Sequence, residues 1–422
     1  MAASILDTLA VLEPSPADFR RLGLATGSLT LRRAWPRSPH HVVLEYVAGN
    51  GQTVVGQWFD DAGDLQRIAR ATTANCTTPG ITVVTIDEAG VLLQAGGADR
   101  RLPGLAPLVA RPGARLLVHR PERRAVVRLQ GSNGPCYAKV VRPDRVRSLV
   151  AAGQAAQRLA DGAFAAPELL DADLDLGVAI WSALPGVSLY DLLQAARAPL
   201  PAGTARDASP AHQQNGRSTE TSHSVTLIRA ARATGEALRA LHSATPPAHA
   251  GMHRAAEEIG VLQRWGKLLR AFAPDVYDEW RAAATSVFET LTADRSPLVL
   301  LHRDIYDKQV FINGHERIGL LDFDTLAVGE AALDLANALV HLELRALQDH
   351  CSPEQAARVA TALVEGYRPQ PHVYRRLPVY ADATRLRLAC VYTFRPRQAL
   401  VVPKLLALVG RPKLFHTSTL LS

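Results

Sequence analysis

The chain has 422 residues, 47% hydrophobic and 21% charged, and a formal net charge of +7. That length carries two or three domains with a sizeable core, and no run approaches the roughly 18 uncharged apolar residues of a membrane span, so a disordered or membrane-spanning chain is excluded. Four scattered cysteines (Cys76, Cys136, Cys351 and Cys390) show no CxxC spacing, which excludes a cysteine metal site and points to a reducing compartment.

Residues 1 to 105 read as a separate strand-rich module. Apolar alternation around 28–35, 40–49, 52–61 and 81–96, with Gly, Asn and Asp turns between, predicts strands. A helical pattern falls near Leu65–Ala71. Asp60 and Asp61 read as an acidic turn rather than a cation site. Residues 106 to 186 predict a smaller α+β unit. Three strands, at 114–120, 124–130 and 136–141, are joined by a charged turn (Arg120-Pro121-Glu122-Arg123-Arg124) and a Gly-rich hairpin. Only five of the 47 basic residues are lysine, and one of them, Lys139, lies on the third of these strands. A helix over 143–160 and a strand pair ending near Ser182–Leu184 follow. Residues 187 to 422 read as a helical unit. Within it, 197–224 is poor in apolar residues and rich in Pro, Ser, Thr and Gln, which predicts a disordered insert. The last stretch, 366–422, holds ten Lys or Arg and one acid, Asp382.

The chemistry concentrates in residues 298 to 335. An apolar run (Leu298–Leu301) leads into His302-Arg303-Asp304, and Gln309 follows five residues after Asp304. A second apolar run delivers Asp322-Phe323-Asp324, and Asp334 comes ten residues later. Phosphoryl transfer to a hydroxyl suits this pattern. One carboxylate orients the acceptor and takes its proton, and a magnesium ion with oxygen ligands neutralises charge on the triphosphate. Asp304 fits the base; Gln309 and Asp322 fit the metal.

This stretch resembles the catalytic and metal loops of the aminoglycoside phosphotransferase and choline kinase family, distant relatives of protein kinases. The family pattern of His, then Asp two residues on, then Asn five further, falls on His302, Asp304 and Gln309. The last is a departure that keeps the amide oxygen one methylene further out. The resemblance implies an α+β, two-lobed protein-kinase-like fold with the N-terminal module added to it. It also implies ATP and Mg2+ as cofactors, a small hydroxylated acceptor, and work in the cytoplasm. Lys139 would hold the α- and β-phosphates, Lys308 would reach the γ-phosphate, and the backbone near Ser182 and Leu184 would bind adenine. Asp322 would ligate the metal and Asp334 would buttress the catalytic loop.

Two departures from that family stand out. The phosphate-covering turn 120–124 has no glycine, and the helix 143–160 has no glutamate to pair Lys139, leaving Gln154 or Gln157 to orient it. Both support a second reading, a kinase-like module that binds nucleotide with weak or no turnover. The interval from Asp324 to Asp334 has no room for a protein-kinase activation segment, which favours a small acceptor. The basic C-terminal end argues for a neutral or anionic acceptor rather than a polycation. Neither a membrane nor a nucleic-acid partner is expected.

Overall fold

The computed structural model describes residues 5–24, 27–74, 82–132, 134–160, 162–196, 210–248, 250–313 and 317–411, with the backbone alone over 210–224. The alternating runs of the N-terminal region form one antiparallel sheet. Its strands lie in the order Val11–Leu12, Leu29–Ser38, His41–Ala48, Thr53–Phe59, Val91–Ala95, Thr82–Ile86. Strand side chains point to opposite sides in turn, so Trp58, Val91 and Leu93 join the large core while Phe59 and Leu92 pack on Leu65 and Ile68. The helix seen around Leu65–Ala71 runs over Ala62–Ala74. Asp61 accepts the Asp64 N–H at 2.7 Å and Asp60 contacts His40, so both acids serve the turn. The helix Pro16–Leu22 is marked by local signals: the Ser15 hydroxyl caps its start, Pro16 opens it, and Gly23 closes it at φ 67.

The small lobe is a five-stranded antiparallel sheet in the order Leu169–Asp173, Val178–Ser182, Gly134–Val141, Arg124–Gly131, Arg115–Arg120. The helix Pro143–Ala160 lies on it through Val146 and Leu149 against Ala179 and Trp181. Gly153 is needed there: a Cβ at that position would stand 2.0 Å from the Trp181 ring.

The large lobe is helical around Ala332–Leu347, whose residues from Ala332 to Arg345 are all buried. Its buried polar residues Asp334, Asn337, His341 and Arg345 recur at helical spacing, and Asp334, Asn337 and Arg345 hydrogen-bond the loop 302–309. The helices Pro210–Ser243 and Pro353–Tyr367 approach backbone to backbone where Gly235 and Gly366 face each other's chain. Two small sheets carry the chemistry. Leu298–Leu301 pairs antiparallel with Ala327–Glu330, and Val310–Ile312 forms a hairpin with Ile318–Leu320.

The predicted disordered insert 197–224 is corrected in part. Residues 197–209 lie outside the described residues, but from Pro210 the backbone is already helical. The later half of this helix is anchored by Leu227, Ala230, Leu238 and Leu241 in the core. Once a helix is nucleated, each added residue gains a bond for little extra entropy, so polar residues can extend it. No helix among the described residues is long and apolar enough to cross a membrane.

Candidate active site

The strand Leu298–Leu301 ends where Ala327 begins its partner, so the loop 302–309 leaves the sheet beside the loop 321–326. Asp334, in the first turn of the central helix, sits fully buried beneath both. Its carboxylate accepts the backbone N–H of His302 at 2.6 Å, that of Arg303 at 2.7 Å and the Nε2–H of His242 at 3.1 Å. Burial alone would raise its pKa; the hydrogen bond from His242 and the charges and donors around it hold it below the ordinary carboxylate value. This is the buttress expected of Asp334. Arg303 is held at φ 70, a left-handed conformation that costs a non-glycine residue about 1–3 kcal/mol.

His302 joins the two loops. It is buried, its Nε2–H donates to the Leu321 carbonyl at 2.8 Å, and its ring lies 4.9 Å from that of Phe323. Its own carbonyl accepts the Thr325 hydroxyl at 2.8 Å. Asn337 donates to the Ile305 carbonyl at 2.8 Å, and the buried Arg345 grips Asp307 at 2.7 and 3.0 Å. The loop is thus fixed at both ends and in the middle, with Asp304 half-buried at its turn. Burial pushes the Asp304 carboxyl up, the nearby Asp322 adds to this, and Arg387 opposes it.

Lys139 reaches the loop 321–326 directly. Its Nζ donates to Asp322 at 2.9 Å and to Asp324 at 2.7 Å. Burial would lower the lysine, but the two carboxylates override it and hold its pKa above the ordinary value. Burial opposes ionisation of Asp322 too, yet Lys139 and Arg124 keep it well below the carboxylate range. Burial and the adjoining Asp322 push Asp324 up. Asp322 itself sits at φ 65, which turns its side chain back toward the lysine strand. Gln309 brings its amide to 3.5 Å from Asp322.

The expected partners of Lys139 on the helix 143–160 are therefore corrected. Gln154 is exposed, and Gln157 donates to the Pro167 carbonyl at 3.0 Å. The face of this helix that meets the site is Gly153 and Ala156, too short to carry an ion-pair partner, so the carboxylates come from the opposite wall.

The glycine-free turn 120–124 is solved from outside the small lobe. Glu122 takes the left-handed conformation at φ 61 in place of a glycine. Its N–H donates to the buried Asp99 at 2.7 Å, and its carboxylate is forked by Arg100 at 2.7 and 2.9 Å. Asp99 also accepts from the buried His119 at 3.0 Å. The brace escapes sequence reading because residues more than 20 positions apart build it. Arg124, at the end of the turn, lies 3.8 Å from both Asp322 and Asp324.

Between the lobes lies a cavity of about 320 Å³ lined by Val126, Tyr137, Trp181, Leu184 and Phe311, with Lys139, Gln309 and Asp322 at one end. Ser182 and Leu184 are both on its wall. The Ser182 N–H, however, already donates to the Glu168 carbonyl at 2.9 Å. Lys308 is displaced from its expected role: it is exposed, with Nζ 4.0 Å from the centre of the Tyr190 ring, outside the cavity lining. The basic C-terminal end is also reinterpreted. Arg376 pairs with Glu330 at 2.6 Å, Arg385 with Glu343 at 2.8 Å and Asp382 at 2.7 Å, and Arg387 donates to Asn337 at 2.6 Å. Most acids that neutralise these arginines lie 40 or more residues upstream, so a local count of charge could not see them.

Two lobes with a lysine strand in one, and the loops 302–309 and 321–326 of the other closing on the cleft between them, define a protein-kinase-like fold. The chain belongs to the phosphotransferase enzyme family (APH), whose model matches residues 117–377. Similar solved structures include the aminoglycoside phosphotransferase APH(3'')-Id from Streptomyces rimosus, at 15% identity over 67% of this chain and 93% of that one, TM-score 0.43. They also include the macrolide 2'-phosphotransferase MphH from Brachybacterium faecium (20%, 74% and 98%, 0.40) and a choline/ethanolamine kinase family protein from Mesorhizobium loti (18%, 73% and 92%, 0.44). No curated protein sequence matches the chain.

Proposed function

We propose that this protein is an ATP- and magnesium-dependent kinase that phosphorylates a hydroxyl group of a small molecule in the cytoplasm. The observation that carries this reading is the convergence of Asp304 with the Lys139–Asp322–Asp324 cluster at the mouth of one cleft. Asp304 orients the acceptor hydroxyl and receives its proton as the new oxygen–phosphorus bond forms. The bond between the γ-phosphorus and the β–γ bridging oxygen breaks, and ADP leaves with the bridging oxygen. Burial raises the basicity of Asp304, which suits a proton acceptor.

The donor set fits magnesium. Among the described residues no group of three or more His, Cys, Asp or Glu could hold a metal, but Mg2+ is commonly held by one or two carboxylates beside substrate phosphates and waters. Asp322 and Asp324 offer hard oxygens in one cluster, and the Gln309 amide, whose Nε2 faces Asp322 at 3.5 Å, would offer its oxygen with the amide turned over. Magnesium, when bound there, supplies charge neutralisation along the phosphates. Lys139, released in part from its carboxylates, holds phosphate as a point charge, and Arg124 stands beside it. The adenine lies in the apolar cavity against Val126, Trp181 and Leu184.

ADP release from Mg-ATP over a panel of hydroxylated compounds, run beside the Asp304→Asn variant, tests the proposal. Acceptor-dependent release that the variant loses supports it. Tight Mg-ATP binding with no turnover on any acceptor would instead support the second reading, a nucleotide-binding module.

A further inference from the structure

A second cleft, of about 870 Å³, meets the nucleotide cavity only at Asp322 and Asp324 and adds Asp304 to its lining. Arginines from three elements wall it: Arg37 and Arg101 from the N-terminal region, Arg123 and Arg124 from the braced turn, and Arg142 and Arg145 at the start of the helix Pro143–Ala160. We propose that the acceptor carries an anionic group, a phosphate or a carboxylate, which these arginines hold while its hydroxyl lies at Asp304. This inference rests on the kinase reading given above.

Charge balance carries the argument. The acids in the cleft are largely engaged already. Glu122 is forked by Arg100, with Arg101 at 3.5 Å, and Asp322 and Asp324 hold Lys139. Asp144, at the rim, is the carboxylate within reach of Arg142 at 3.1 Å and Arg145 at 3.6 Å, and it is more than half exposed. Arg37 donates to the Pro121 carbonyl at 3.3 Å and makes no ion pair within 4 Å among the described residues, and Glu122 and Asp99 offset its charge only in part. Burial, together with repulsion from Arg123 and Arg120, lowers its pKa to about 10. Arg120, also at the cleft, is lowered to about 10 by burial and by Arg124, Arg395 and Arg123. A cluster of cations that destabilise one another is relieved by an anion.

The nucleotide does not account for the whole cluster. Arg124 stands next to Asp322 and Asp324, where the phosphates end. Arg37 and Arg101 come from chain outside the 117–377 family match, from the region in which family members need not agree. The cleft volume is in the range of small-molecule sites and exceeds what a terminal phosphate fills. A polycation placed there would meet arginine on three sides. Guanidinium forks suit phosphate and carboxylate bidentately.

The test uses the full chain saturated with Mg-ADP, which occupies the α- and β-phosphate positions; the Arg37 and Arg142 variants below separate the cleft from the open γ-phosphate position. Glycerol 3-phosphate, glucose 6-phosphate and glycerate are titrated beside glycerol, glucose, choline and an aminoglycoside, and ADP release from Mg-ATP is followed for each. The expected result is binding and turnover confined to anionic members, and affinity that falls with salt. The phosphate and carboxylate members separate the two anion types. Arg37→Glu and Arg142→Glu should each weaken anion binding by about tenfold or more, with Mg-ADP affinity within about twofold of wild type. Four outcomes overturn the inference: preference for uncharged or cationic acceptors, no binding of any anion, anion binding abolished by Mg-ADP, or charge reversals without effect. Anion binding to the Mg-ADP form with no turnover of any compound would count against the kinase reading while leaving the anion site standing.

Discussion

Asp304 and Asp334 are two carboxylates 30 residues apart with opposite electrostatics, a contrast that suits the different roles proposed for them. Asp334 has three donors and is held ionised; Asp304 is desolvated and pushed up. Asp304→Asn should reduce turnover by about 10²–10⁴-fold with nucleotide binding retained, the usual worth of a positioned base. The rate of the wild type should fall as pH drops through a value above the ordinary aspartate range, because the base must be unprotonated. A pH–rate profile with its acid limb in the ordinary range would contradict that. For Asp334 the linkage runs the other way. Its folded pKa is depressed, so its stabilisation is fully present above the unfolded value of about 4 and is lost as pH falls below it. Asp334→Ala should destabilise the fold by about 3–5 kcal/mol, the cost of leaving buried donors unpaired, and should flatten the acid-side loss of stability in denaturant titrations.

The elements differ in how far they can be read from sequence, and the difference is one of range. The strand Leu298–Leu301, the His302–Asp304 turn and the Asp322 loop carry their signals within a few residues, so their order and their meeting at one cleft were legible. The five small-lobe strands and the N-terminal sheet were legible through alternation. The brace on the turn 120–124 was not, since Asp99 and Arg100 lie in a different segment and Glu122 gives no sign of adopting a glycine's conformation. Nor was the pairing of Lys139 with the opposite lobe, which the absent glutamate left open. The C-terminal arginines misled for the same reason: their acids are distant in the chain. The brace gives a prediction at this scale. Arg100→Ala removes the fork on Glu122 and should raise the KM for ATP several-fold, with kcat changed less, because the turn over the phosphates loosens while Asp304 is untouched. Equal loss in kcat and kcat/KM, or no change, would show that the turn holds without it. Gly153→Ala should be more damaging. Its Cβ meets Trp181, overpacking costs about 1–3 kcal/mol, and the displaced ring would intrude on the cavity between the lobes.

On the scale of the molecule, the N-terminal region touches both lobes. It meets the small lobe through Asp99–His119, Arg100–Glu122 and the Arg37–Pro121 bond. It meets the helical lobe where the Ala34 N–H donates to the Phe394 carbonyl at 2.8 Å and where Trp58 stands edge-on to Phe272, 6.4 Å between ring centres. One apolar cluster runs from its sheet into the helices, whereas the small-lobe sheet keeps a separate core around Ala125, Val127, Ala138 and Val140. Cooperativity follows shared burial, so the N-terminal sheet and the helical lobe should unfold as one unit. Trp58 lies in that shared cluster, 8% exposed. Truncating a buried tryptophan removes about 3–5 kcal/mol. Trp58→Ala should therefore lower the main unfolding transition as a whole by several degrees, without releasing an early transition for the N-terminal sheet. Calorimetry reads this directly, with tryptophan-independent far-UV dichroism as the second probe. An early transition carrying the β-sheet signal, with the helical melt unmoved, would mean that the N-terminal region folds apart from the kinase lobes and only rests against them. Mg-ATP should raise the same main transition in the wild type, since its binding groups come from both the small and the helical lobe and ligand binding stabilises the state that assembles them.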